Sequence, residues 1–432
     1  MTSLPLDAPE ADEPLVAEPA LPVLTVPRDG VPAVVDTAAA LADAVRRLAA
    51  GTGPIAIDTE RAQGFRYTNR AYLIQIRRAG TGTVLIDPVP LTEPDGPGLA
   101  TLREAMDDEW ILHAASQDLP CLAEIGLLPT TLFDTELAAR LLGYPRVALG
   151  TLTEQLLGIR LLKEHSAADW SRRPFPDEWL TYAALDVELL DQLRDLLAAE
   201  LEEQGKSDWA RQEFEALVAG AATPHSPRPD RWRRTSGIHQ IRSPLGLAIV
   251  RELWLTRDEI AARLDKAPGR ILGDEGIAQL AAQVTTQPIK IDRTTLRGID
   301  RFNRREARRF ESSWISAVQR VAAMPRSALP PVAVAVDGPP TLRSWAKRHP
   351  EAAARWEAIR PAVNEIAEQH RVPPENLVSP DALRRVAWQP AGVDADAIEA
   401  QLAGLGVRRW QRELVVEAIV AGVQTPAAAE PA

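Results

Sequence analysis

A single cysteine, Cys121, occurs in 432 residues, so no intrachain disulfide can form and no cysteine-rich zinc site exists. No apolar run reaches the roughly 20 residues that a membrane helix needs, so no membrane partner is expected. The start, Met1–Pro22, lacks the basic opening and apolar stretch of a Sec-type signal peptide. A cytoplasmic location in a reducing compartment is therefore expected. Composition is not extreme, with 45% hydrophobic and 25% charged residues, which is ordinary for a globular chain. The length predicts two to four domains, with cores that need no covalent staples.

Charge is unevenly spread. The formal net charge is −11, yet residues 225–326 hold 20 Lys/Arg against 11 Asp/Glu. A module with nine surplus positive charges thus sits in a chain whose remainder carries −20. A basic segment beside an acidic one is a pattern that fits a polyanion partner.

Residues 1–22, rich in Pro, Ala and Glu, predict a disordered tail, and residues 423–432 another. From 23 to 220, strands and helices alternate. Helical spacing marks Ala39–Ala49, and Gly51-Thr-Gly-Pro54 ends it. Short apolar strands follow at Ile55–Glu60, Tyr72–Ile76, Gly82–Asp87 and Trp110–Ala114, with a long helix predicted over Glu178–Gln204. The order predicts an α/β or α+β domain with a mixed sheet. A linker is expected over 221–240, within a Pro/Arg-rich stretch, and the strand signal then disappears. Two helical modules are expected at 241–323 and 343–422, joined by a Pro-rich linker over 324–342. They read as copies of one unit. Ile271-Leu272 followed by Gly276-Ile277-Ala-Gln-Leu280-Ala281 is echoed by Leu377-Val378 and Ala382-Leu383-Arg-Arg-Val386-Ala387. Trp254 is likewise echoed by Trp356, and Trp314 by Trp410.

Asp58 and Glu60 lie two apart on an otherwise apolar strand, so both project from one face. Two such carboxylates are costly to bury unless cations neutralise them; the alternative is a strand end at which one acid caps a turn. Asp118 falls in the first turn of a helix that Ser116 can cap, where an acid often only faces the helix dipole. Tyr182 and Asp186, at i and i+4, share a helix face, which is a common surface arrangement when taken alone.

In order along the chain, however, Asp58-Thr59-Glu60, Asp118 and Tyr182-x-x-x-Asp186 resemble the DEDD exonuclease superfamily in its tyrosine variant. The surrounding text is similar to bacterial ribonuclease D: Leu73-Ile-Gln-Ile76, Leu85-Ile-Asp-Pro88, His113-Ala-Ala-Ser-Gln-Asp-Leu119, Phe133-Asp-Thr135, Ala138-Ala-Arg-Leu-Leu-Gly143, Asp169-Trp-Ser-Arg-Arg-Pro174 and Tyr182-Ala-Ala-Leu-Asp-Val187. The resemblance spans about residues 30–215, and the two helical copies look like HRDC domains. It implies a ribonuclease H-like exonuclease domain that trims RNA 3′ ends to 5′-mononucleotides, with tRNA precursors as one substrate, acting as a monomer. It further implies Asp58, Glu60 and Asp186 around one divalent ion, Asp58 bridging to a second alongside Asp118, and Tyr182 orienting the attacking water. Four carboxylates without His or Cys form a hard-oxygen set that suits two Mg²⁺ or Mn²⁺ ions. A DNA 3′–5′ exonuclease and an inert nucleic-acid-binding scaffold are the alternatives.

One departure from the family pattern is Arg61-Ala62 after the Asp-Thr-Glu, where many relatives carry an apolar residue. Thr59, Arg61, His113, Leu119, Lys163 and Arg172 are the expected nucleic-acid contacts in this region; His165 and Arg173 share the loop before the Tyr182 helix, with a solvated loop as the alternative. His113 equally reads as a strand-end hydrogen-bonder, Asp134 as a structural acid and Cys121 as a core thiol. An amphipathic helix predicted over Phe302–Ala322 places Arg301, Arg304, Arg305 and Arg308 opposite Ala307, Phe310, Trp314, Val318 and Val321. Such a face suits phosphate contacts; the alternative is a solvated charged face.

Overall fold

The structure, a computed structural model, describes residues 21–162, 167–223, 229–283, 291–333 and 338–425. Nearly all of the two expected tails therefore lies outside the described residues. Eight strands are found among these: β1 (Val23–Leu24), β2 (Val34–Val35), β3 (Thr52–Arg61), β4 (Ala71–Ala79), β5 (Gly82–Ile86), β6 (Glu109–Leu112), β7 (Thr131–Asp134) and β8 (Arg160–Leu161). Six of them form one sheet in the order β2-β5-β4-β3-β6-β7. The β3–β4 and β4–β5 pairs are antiparallel, whereas β2–β5, β3–β6 and β6–β7 are parallel. The expected mixed sheet is present, and β3 lies inside it with a neighbour on each side.

Period-2 alternation along the central strands separates two faces. Ile55, Ile57, Ile74, Ile76, Val84 and Ile86 pack with Leu41, Ala44 and Leu48 of the Ala38–Ala50 helix. Thr37 starts that helix by accepting from the amide of Ala40. Gly51 then leaves it where a Cβ would lie 2.7 Å from the Thr81 hydroxyl and 3.0 Å from the Ala79 carbonyl. No side chain fits there. The opposite face carries Leu73 and Leu85 against Trp170, Trp179, Ala183 and Ala184, and Ala56 and Ile111 against Val187 and Leu190.

The long helix predicted over Glu178–Gln204 is instead two, Asp177–Asp186 and Leu190–Glu203. Glu188, in the break, is fully buried and lies 3.3 Å from the Arg77 guanidinium. A tertiary ion pair, invisible to periodicity, turns the chain inward directly after Asp186. The predicted Phe302–Ala322 helix is also interrupted. A 3-10 turn (Asp300–Asn303) precedes two helices, Arg305–Arg309 and Glu311–Ala322. The indole of Trp314 donates to the Ala307 carbonyl at 2.8 Å, satisfying an acceptor near the break.

Both helical copies share one plan. A long helix (Pro244–Leu264 or Pro350–Gln369) is followed by a nine-residue helix (Asp274–Ala282 or Pro380–Trp388) and a closing helix (Glu311–Ala322 or Arg409–Val423). Trp314 and Trp410 are fully buried in equivalent closing helices. The stretch expected as a bare linker after 220 belongs in part to the first copy, since Trp232 is buried in its core. The second copy is continuous with the core of the sheet domain. Among the described residues no helix is long and apolar enough to cross a membrane.

Candidate active site

Asp58 and Glu60 point from β3 toward the end of the Asp177–Asp186 helix. Their carboxylate oxygens and one of Asp186 all lie within 4.8 Å of one another. One helical turn before Asp186, the Tyr182 phenol hydrogen-bonds to its carboxyl group, as the i, i+4 spacing allows. Asp118 approaches from the turn between β6 and the Leu119–Glu124 helix. It stands at the N-cap of that helix, but its side chain makes no capping hydrogen bond. Its carboxylate instead accepts from the Thr59 hydroxyl at 2.6 Å and faces the Arg61 guanidinium at 3.6 Å. The Cys121 thiol donates to the Asp118 carbonyl at 3.0 Å, which fixes the backbone there.

Crowding sets the electrostatics. Burial pushes the Asp58 carboxyl well above the usual range, and Asp118 and Asp186 push it further. Glu60 is raised by burial, then by Asp58, Asp186 and Asp118. Burial carries Asp186 up to about 7, against the lowering effect of the Tyr182 hydrogen bond. Asp118 is raised by burial and partly relieved by Arg61 and Thr59. Tyr182 itself is raised by burial and by three surrounding acids, so its phenol stays protonated. Arg61 offsets this crowding only in part.

Residues 32–202 match the family model described as 3′-5′ exonuclease, 246–318 the HRDC domain, and 338–423 the 3′ to 5′ exonuclease C-terminal domain. A ribonuclease D of Gluconacetobacter diazotrophicus is 31% identical over 344 residues, covering 78% of this chain and 81% of its own. The chain belongs to the ribonuclease D family. It is a 3′–5′ exoribonuclease. The ribonuclease D of Nitrobacter hamburgensis is 28% identical over 394 residues, covering 90% of this chain and 94% of its own. Among solved structures, a protein from Bifidobacterium adolescentis is similar with a TM-score of 0.85 at 37% identity, covering 94% of this chain and 100% of that one. Escherichia coli RNase D shares the fold at 24% identity, with a TM-score of 0.64 over 91% of this chain and 98% of its own. The second helical copy, expected as HRDC-like, matches the separate C-terminal model.

Ribonuclease D family membership implies a divalent metal, and the donor set fits one. Three acids converge with only oxygen ligands, and each gains from a cation that offsets its neighbours. The remaining expected residues divide. Thr59 is buried and spent on Asp118, and Arg61 pairs with the same acid. Leu119, expected to face nucleic acid, is 1% exposed and belongs to the core. His113 shares a 2.9 Å hydrogen bond with Thr135, and burial lowers its imidazole to about 4, so it is neutral at pH 7. Asp134 is structural: it accepts from the amides of Ala114, Ala115, Glu136 and Leu137. Arg173 is spent on Asp87, Tyr72 and Trp170, whereas Arg172 is exposed. Lys163 and His165 lie outside the described residues. Arg301 is paired with Glu275, while Arg304, Arg305 and Arg308 are exposed.

A link that sequence reasoning missed joins the first helical copy to the loop that follows the strand of Asp58 and Glu60. The loop after β3 places the Tyr67 and Thr68 amides and the Thr68 hydroxyl on Asp265 at 2.9–3.2 Å, and Tyr67 donates to Asp258 at 3.0 Å. Asp265 ends the Pro244–Leu264 helix in a left-handed conformation, φ 44°. No local signal foretells a contact across about 200 residues.

Proposed function

We propose that the chain hydrolyses RNA from its 3′ end one 5′-mononucleotide at a time, with Asp58, Glu60 and Asp186 holding one divalent cation and Asp58 and Asp118 a second. The convergence of Asp58, Glu60 and Asp186 within one ligand shell supports this reading most directly. Cations bound there supply Lewis-acid charge and lower the pKa of the attacking water. Tyr182, kept protonated by the acids around it, orients that water by hydrogen bonding and is not a base. Arg61 balances Asp118 from the outer side. Arg304, Arg305 and Arg308 hold backbone phosphates of the substrate body, while the second helical copy serves packing. Mg²⁺ or Mn²⁺ suits the oxygen donors. Structured RNAs such as tRNA precursors are the proposed substrates, degraded by a cytoplasmic monomer. The Escherichia coli relative is described as involved in structured RNA processing.

The test is a 5′-labelled RNA and its DNA counterpart incubated with Mg²⁺ or Mn²⁺. A ladder that shortens from the 3′ end of the RNA, with the DNA degraded more slowly, is expected. A circular RNA of the same sequence should persist, and its rapid cleavage would mean that no terminus is recognised.

A further inference from the structure

Gln75 is fully buried, and neither its amide nitrogen nor its carbonyl oxygen has a hydrogen-bond partner among the described residues. Leaving both ends of a primary amide unpaired in an interior is costly. The register shows where this amide sits. Gln75 pairs directly with Asp58 across β3 and β4, and with Leu85 across β4 and β5. Opposed residues in antiparallel strands share a face, with Cβ atoms about 4.5–5.5 Å apart. Leu73 and Arg77 flank it on the same face of its own strand. Two of these neighbours are leucines, and the third is a cation already engaged with Asp29, Thr83 and Glu188. The acceptor among them for an amide N–H is the Asp58 carboxylate.

We propose that Gln75 is a positioning residue for Asp58, its side-chain amide donating to the Asp58 carboxylate when that carboxylate holds a cation. With a cation, the carboxylate is a full acceptor, and a donor fixed in the neighbouring strand sets its orientation. Arg77 extends the same line of side chains. Two residues beyond Gln75, it holds Glu188, which follows Asp186 by two residues. Both ends of the ligand set are thereby tied to β4.

This inference rests on the metal site proposed above, so wild-type protein is measured beside the variants. Full-length Gln75→Met and Gln75→Leu are titrated with Mn²⁺ by electron paramagnetic resonance, with melting followed by circular dichroism in metal-free buffer. Mn²⁺ affinity should fall by about 10–100-fold. The kcat should fall with it, while KM for RNA should stay within about twofold. Metal-free Tm should be equal to or above that of wild type, because the variants remove unpaired polar atoms. Mn²⁺ affinity within about twofold of wild type in a folded variant would overturn the assignment and return Gln75 to packing. Loss of folding in both variants without metal would overturn it as well. Failure of wild type to bind Mn²⁺ would instead remove the metal site itself, and the role of Gln75 with it.

Discussion

Asp186 holds its proton more tightly than a free carboxyl because burial denies it solvent and Asp118 adds like charge. Its folded value of about 7 lies above an unfolded value near 3.9. The stability linked to this group is thus complete below about pH 4 and is lost as pH rises through 7. Metal-free protein should therefore melt lower at pH 8 than at pH 5. Asp186→Asn, neutral and of the same shape, should remove part of that loss and melt a few degrees above wild type at pH 8. Mg²⁺ should raise the wild-type Tm at pH 8 and the variant's far less, and the variant should lose at least ~10²-fold in cleavage rate. A variant melting below wild type at pH 8 without metal would refute the assigned repulsion. At Tyr182, replacement by Phe removes an orienting hydrogen bond but no ligand charge. Single-turnover cleavage should fall by ~10²-fold, within the range for acid–base and orienting groups. A fully active Phe variant would make Tyr182 a packing residue.

Among elements, the strand that bears Asp58 and Glu60 was legible because apolar residues alternate around two acids on one face. The breaks at Val187 and Phe310 were not. Neither contains Gly or Pro; the first is held by a distant partner, Arg77 for Glu188, and the second by a side chain seven residues on, Trp314 for the Ala307 carbonyl. The interruption at Phe310 leaves the arginine-bearing segment as a short helix with Arg305 and Arg308 exposed, Arg304 exposed at its N-cap, and Arg301 engaged by Glu275. Of the four arginines that the sequence suggested for phosphate contact, three therefore stay exposed and one is paired. Arg304, Arg305 and Arg308 changed together to Ser should lower the slope of log K against log salt by roughly two units on single-stranded RNA. Binding should weaken alike on all sequences, while a short unstructured oligomer should be degraded at nearly the wild-type rate. An unchanged slope in a folded triple variant would make this a solvated face.

Across the whole molecule, the two helical copies attach differently. The first docks on the β3–β4 loop through hydrogen bonds to Asp258 and Asp265. The second merges with the sheet domain. Lys206 donates to the carbonyls of Leu141 and His370 at 2.7 Å each, and Trp209 stacks on Trp410 with centroids 4.6 Å apart. Gly143 meets the Arg371 carbonyl where a Cβ would lie 2.5 Å away. Ending the chain at residue 333 should thus strip apolar cover from the catalytic domain. With buried apolar surface worth ~25 cal/mol per Å² and about 2–4 °C of Tm per kcal/mol at this size, a drop of many degrees is expected by calorimetry. An unchanged Tm would mean that the second copy is an independent appendage.

The clustered acids, the tyrosine beside them, the mixed sheet and the shared helical plan were readable from sequence because each depends on local spacing: period 2, period 3.6, or an ordered set of motifs. Tertiary structure alone decided which polar groups neutralise which. Thr59 and Arg61 turn to Asp118, Asp134 gathers four amides, Gln75 lies opposite Asp58, and one helical copy joins the catalytic core while the other grips its loop. These pairings join residues as far as about 200 positions apart, and burial rather than spacing selects them, since a polar group removed from water must find its partner wherever the fold brings one near.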